Sequence, residues 1–87
     1  MGMNLEQVSS IINEGIISPN ICSWRYEETK EFSLSTRDKC SIPTEFDGNR
    51  RITLNVLYMG PAFQHNEFDV EFSKEKVISI SELRKWD

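Results

Sequence analysis

Residues 51–59 read Arg-Ile-Thr-Leu-Asn-Val-Leu-Tyr-Met. Ile52, Leu54, Val56 and Tyr58 alternate with Thr53, Asn55, Leu57 and Met59. A period of two carried by β-branched, aliphatic and aromatic residues is the signature of a strand. Both faces turn apolar at Leu57 and Met59. A strand wetted on one side does not need that, so this one belongs inside a sheet rather than at its edge.

Downstream comes the loop Gly60-Pro61-Ala62-Phe63-Gln64-His65-Asn66. Phe68, Val70 and Phe72 then alternate with Glu67, Asp69, Glu71 and Ser73, a half-buried strand. Lys74-Glu75-Lys76 turns the chain back into a last strand, Val77 to Ile80, with Ile78 and Ile80 on one face. Ser81 suits the cap of a short C-terminal helical turn, with Glu82 favourably placed at its start. Leu83 and Trp86, three apart, would close over the sheet edge.

Upstream, 38–50 is irregular, with Pro43 and the turn signal Asp47-Gly48-Asn49. Ile42 and Phe46 are expected to tuck it onto the core. Arg50 and Arg51 mark a charged strand entrance. Residues 21–27 and 31–37 alternate around Trp24, Tyr26, Phe32 and Leu34, and Glu28-Thr29-Lys30 joins them as a hairpin. A helical turn over Tyr26–Phe32 is the rival reading of that stretch.

Residues 4–14 carry Leu5, Val8, Ile11 and Ile12 at helical spacing. Asn4 and Gln7 form a capping box, Gly15 suits the C-terminal end, and Pro19 forbids resumption. So short a helix is unstable alone and must pack on the sheet. Residues 1–87 therefore form one α+β domain: an N-terminal helix on an antiparallel sheet of about five strands, with a short C-terminal helical turn.

The net charge is −4, with no acidic or basic tail: residues 1–43 carry six acids and four bases, residues 44–87 eight and six. Without a basic stripe, phosphate-mediated nucleic-acid binding is not expected. A basic protein partner suits the charge better. No apolar run approaches the roughly 18–20 residues of a membrane span, and no secretory leader is visible. The expectation is a cytoplasmic protein. Cys22 and Cys40 fit neither a disulfide framework nor a Cys-x-x-Cys motif, so two reduced thiols are expected there, with a disulfide as the alternative.

Glu67, Asp69 and Glu71 point the same way at intervals of about 7 Å. No lysine or arginine lies between Arg51 and Lys74 to neutralise them locally, and His65 shares their parity. Three readings compete for this row. It is a solvated face, an acidic contact face for a basic partner, or a metal site. Side chains along a flat strand do not converge on a point, so metal is the weakest, and no cofactor is expected.

His65 as a general base lacks a nucleophile nearby, so no enzyme activity is expected. Phe63, in a Gly-Pro loop among polar residues, is a candidate anchor for a partner. Trp24 and Tyr26 suit the core better than an interface.

Residues 12–24, Ile-Asn-Glu-Gly-Ile-Ile-Ser-Pro-Asn-Ile-Cys-Ser-Trp, resemble the opening of small immunity proteins of bacterial toxin systems. In those proteins a short helix ends in glycine, a proline follows, and the chain enters its first strand. Here Ile21 stands where an aromatic is expected, and the downstream pattern is absent. The resemblance implies inhibition by binding a cognate toxin and carries over no residue.

The expected function is thus a non-enzymatic, protein-binding inhibitor acting through Phe63, His65, Glu67, Asp69 and Glu71. A phage- or plasmid-encoded inhibitor of a host protein is one alternative. A self-associating accessory protein, pairing an unprotected edge strand into a homodimer, is another.

Overall fold

A computed structural model describes residues 2–15, 20–29, 32–37, 40–43, 46–47, 49–60 and 63–86, with only the backbone of 32–37 and 86. Pro19, Gly48 and the side chains of Phe32, Leu34 and Trp86 lie outside that description. The chain runs α1 (Leu5–Gly15), β1 (Asn20–Tyr26), β2 (Phe32–Arg37), β3 (Ile52–Met59), β4 (His65–Ser73), β5 (Lys76–Ile80) and β6 (Arg84–Trp86).

The capping box forms as its residues dictate. The Asn4 amide donates to Gln7 Oε1 and the Gln7 amide to Asn4 Oδ1, each at 2.9 Å. Leu5, Val8 and Ile12 are buried, whereas Ile11 is 55 % exposed and stands outside the packed stripe.

Every strand pairing is antiparallel, in the order β2-β1-β3-β4-β5, with β3 in the middle. β1 and β2 pair antiparallel as the expected hairpin; of the stretch with the helical rival, Tyr26 and Phe32 lie in strands and residues 30–31 lie outside the description. Cys22, Trp24, Ile52, Leu54, Val56, Val70, Phe72 and Val77 bury one face against α1. Ile42 and Phe46 pack on this core as expected. Trp24 is fully buried, while Tyr26 lies at the margin, with its ring 4.8 Å from Phe46.

The loop before β3 is clipped there. Tyr26 Oη accepts from the Asp47 amide at 2.8 Å, and Arg50 stacks 3.7 Å over the Tyr26 ring. Arg50 also bonds Glu28 at 2.8 Å, which holds that carboxyl below its ordinary range. Its small contribution to stability is therefore fully present above the ordinary carboxylate range and is lost as pH falls below that range through the lowered value.

Three expectations are corrected. The first is the C-terminal helical turn: residues 84–86 are a strand pairing with His65–Glu67 of β4. Ser81 caps no helix; its Oγ accepts from the Asp69 amide at 2.8 Å. Leu83 is 45 % exposed, and the Trp86 side chain lies outside the description. β3 occupies one edge of β4, so β5 and β6 share the other, one behind the other.

The second concerns β5. A register shift between Glu71 and Phe72 leaves Ile78 unpaired, so Val77 is buried opposite Phe72 and Ile78 and Ile80 are exposed. The turn before it puts both Lys74 (φ 50°) and Glu75 (φ 66°) in the left-handed region, as a two-residue hairpin turn of right-handed twist requires.

The third is the thiol state. Cys22 and Cys40 form a disulfide, with Cα atoms 5.4 Å apart and both residues buried. Asn13 secures the same point, its side chain donating to the Cys40 carbonyl (2.9 Å) and accepting from the Cys40 amide (2.7 Å). The loop after β2 is thus tied to both the sheet and the helix.

Candidate functional site

Register puts Glu67, Asp69 and Glu71 opposite Leu57, Asn55 and Thr53 on the sheet face away from α1. The row is there, but it is not bare. Asn55 Nδ2 donates to Glu67 Oε2 and Asp69 Oδ1, both at 2.8 Å. From β6, Arg84 donates through Nε to Glu67 Oε1 and through Nη2 to Asp69 Oδ2, both at 3.0 Å. These bonds, Glu67's first, raise the arginine's pKa above its ordinary value. Arg51 stands 4.0 Å from Glu71.

Two of the three carboxylates therefore have both oxygens engaged. No base in the local sequence neutralises the row, as read, but one arrives from 13 residues beyond Glu71 along a strand. Asn55 was legible from pairing, since it sits directly across from Asp69. Arg84 was not, because its contact exists only once residues 84–86 fold back as β6. Among the described residues, no group of three or more His, Cys, Asp or Glu is arranged to hold a metal.

His65 lies at the start of β4 rather than in the loop, opposite Met59 on one side and Trp86 on the other. Both cysteines are consumed in the disulfide, so neither offers it a thiol.

The arrangement acts as a latch. Arg84 is 43 % exposed and its partners about a quarter exposed, so its two bonds stabilise modestly while fixing where β6 lies. Arg84→Ala is expected to cost about 1 kcal/mol. It should also abolish amide-exchange protection at 84–86 while leaving β3 protected. Unchanged protection at 84–86 would show that the backbone ladder alone holds β6.

Phe63 is placed differently. It is 82 % exposed, and its backbone is left-handed at φ 60°. For a bulky residue that conformation costs about 1–2 kcal/mol. On either side of it, the Gly60 amide donates to the Gln64 carbonyl at 2.7 Å. A β-carbon at Gly60 would collide with the side-chain amide of Asn66, which is itself buried. The glycine thus lets the backbone at 60 approach Asn66 closely. Met59, at the loop's base, is 38 % exposed.

Of the five residues expected to meet a partner, the chain brings His65, Glu67, Asp69 and Glu71 along one strand and sets Phe63 at that strand's leading end. Compared with models of known families, with curated proteins and with solved structures, the chain matches none.

Proposed function

We propose that this chain is a non-catalytic protein-binding module, an inhibitor that covers the surface of a partner with Phe63 as its apolar anchor. The observation that carries this is a large aromatic ring, 82 % exposed, on a left-handed backbone, next to a Gly60–Gln64 hydrogen bond. Leaving so large a ring in water on a left-handed backbone opposes folding, and exposed aromatics are what interface hot spots are made of. The net charge of −4 favours a basic partner. Glu71 is the acid of the row with no hydrogen-bonded arginine among the described residues, and it suits the rim of such a contact.

The resemblance of residues 12–24 makes a toxin the first partner to try. No helix is long and apolar enough to cross a membrane. A buried disulfide persists in an oxidising compartment and argues against the cytoplasmic placement expected from the sequence.

The test is capture from native lysate on the immobilised protein, washed at low and then high salt. Phe63→Ala should lose the partner while changing stability by less than about 0.5 kcal/mol. Glu71→Lys should make retention less sensitive to salt. It is the milder charge probe, because reversing Glu67 or Asp69 breaks a hydrogen-bonded pair with Arg84, whereas Glu71 stands 4.0 Å from Arg51. Full retention by Phe63→Ala would remove the anchor from the reading.

A further inference from the structure

β5 and β6 lie on the same edge of β4 but are held there by different means. β5 buries Val77 in the core, and the Met3 carbonyl accepts from the Val77 amide at 2.9 Å. β6 pairs through three residues, with Trp86, Lys85 and Arg84 opposite His65, Asn66 and Glu67. Between the two strands, the Ser81 amide donates to the Asp69 carbonyl at 2.9 Å. Beyond that point no described side chain enters the core: Leu83, Arg84 and Lys85 are all exposed. Local opening costs least where little apolar surface is buried. Arg84 supplies the described side-chain tie, and at 43 % exposure a competing group in solution can reach it.

What β6 covers has a definite chemistry. Without it, the backbone of His65–Glu67 would be an open strand edge, the kind that pairs with other chains. Glu67 and Asp69 would each lose the arginine bond to one oxygen, at 3.0 Å, while Asn55 kept the other oxygen of each. An extended segment with an arginine in step with Glu67 restores both, through ladder hydrogen bonds and charge-assisted ones. β6 is itself such a segment, with Arg84 and Lys85 and no acid.

We propose that β6 is an autoinhibitory strap, which fills within the chain the β4 edge that an extended basic segment of the protein partner takes when β6 is displaced. This rests on the reading that a basic protein is the partner, and it adds which part of that protein binds and what regulates access. β6 ends opposite His65, and Phe63 lies two residues before His65. A longer strand running the same way continues toward Phe63, so one segment meets both the edge and the anchor. The strap reduces the partner's apparent affinity by the fraction of chains in which β6 is open.

The test titrates a synthetic peptide, Ser-Glu-Leu-Arg-Lys-Trp, into the isotope-labelled full chain and follows the amide resonances of His65–Glu67. Arg84→Ala should bind the peptide about fivefold more tightly than wild type, because its own strap competes less. Adding Glu67→Gln and Asp69→Asn to Arg84→Ala should lose that gain, and so should replacing the peptide's arginine by glutamate. The peptide stops short of Phe63, so this titration reads the strap alone, whereas Phe63→Ala against the captured partner reads the anchor. No shift at 65–67 in Arg84→Ala, or equal affinities of Arg84→Ala and wild type, would overturn the proposal. So would Arg84→Ala sedimenting at twice the chain mass, since the edge would then take a second copy's strand.

Discussion

Trp24→Ala is expected to cost about 3–5 kcal/mol, the largest loss of any single substitution in this chain. Per-residue averages give a chain of this length only about 4–13 kcal/mol in total, so a substantial unfolded population follows. Trp24 lies in β1, flanked in register by Leu34 of β2 and Leu54 of β3, and is fully buried. Its ring lies 5.9 Å from that of Phe72 and 6.3 Å from that of Phe46. It thus joins the sheet to the loop that crosses back to β3. Truncation loses the transfer free energy and leaves a cavity between elements already fixed by the ladder and the disulfide, with little room to collapse. Urea unfolding should show a lower midpoint at similar slope. A loss under about 1 kcal/mol would mean that the core does not depend on this ring.

The second large effect is expected from the disulfide. Cys22→Ala with Cys40→Ala should cost about 2–4 kcal/mol, or roughly 10–20 °C in melting temperature. The bridge closes a loop of sequence separation 18, and the unfolded chain gains most when it is removed. Asn13 still grips the Cys40 backbone in the variant, so the native loop position should survive while stability falls. Thiol titration checks the pairing itself. Protein unfolded without reductant should expose no reactive thiol, and two after reduction. Two reactive thiols before reduction would contradict the bridge.

How far the sequence carried these results depends on the range of the interaction. Asn4 and Gln7 are three residues apart and cap the helix as read. The alternation of 52–59 and 68–72 is likewise local, and it placed β3 inside the sheet. What failed was non-local. Ser81 and Glu82 resemble a helix start, but Ser81 bonds the Asp69 amide and Arg84 bonds Glu67 and Asp69, so tertiary pairing overrides the local signal. The bulge in β5 buries Val77 and leaves Ile78 exposed, which no two-residue period foretells.

The cysteines were read as separate because spacing does not reveal that an irregular loop returns to the inner face of β1. The candidate site divides the same way. The acid row and the protruding phenylalanine were visible, whereas the arginine that occupies the row became visible only with β6 in place.

The central claim is that Phe63 anchors a partner. The most direct measurement is calorimetric titration of the captured partner into wild type and Phe63→Ala across a range of salt. A hot-spot anchor predicts a loss of at least about 2 kcal/mol for Phe63→Ala, roughly a thirtyfold weaker Kd, at every salt concentration. Equal affinities for the two proteins would contradict it and would move the contact elsewhere on the surface.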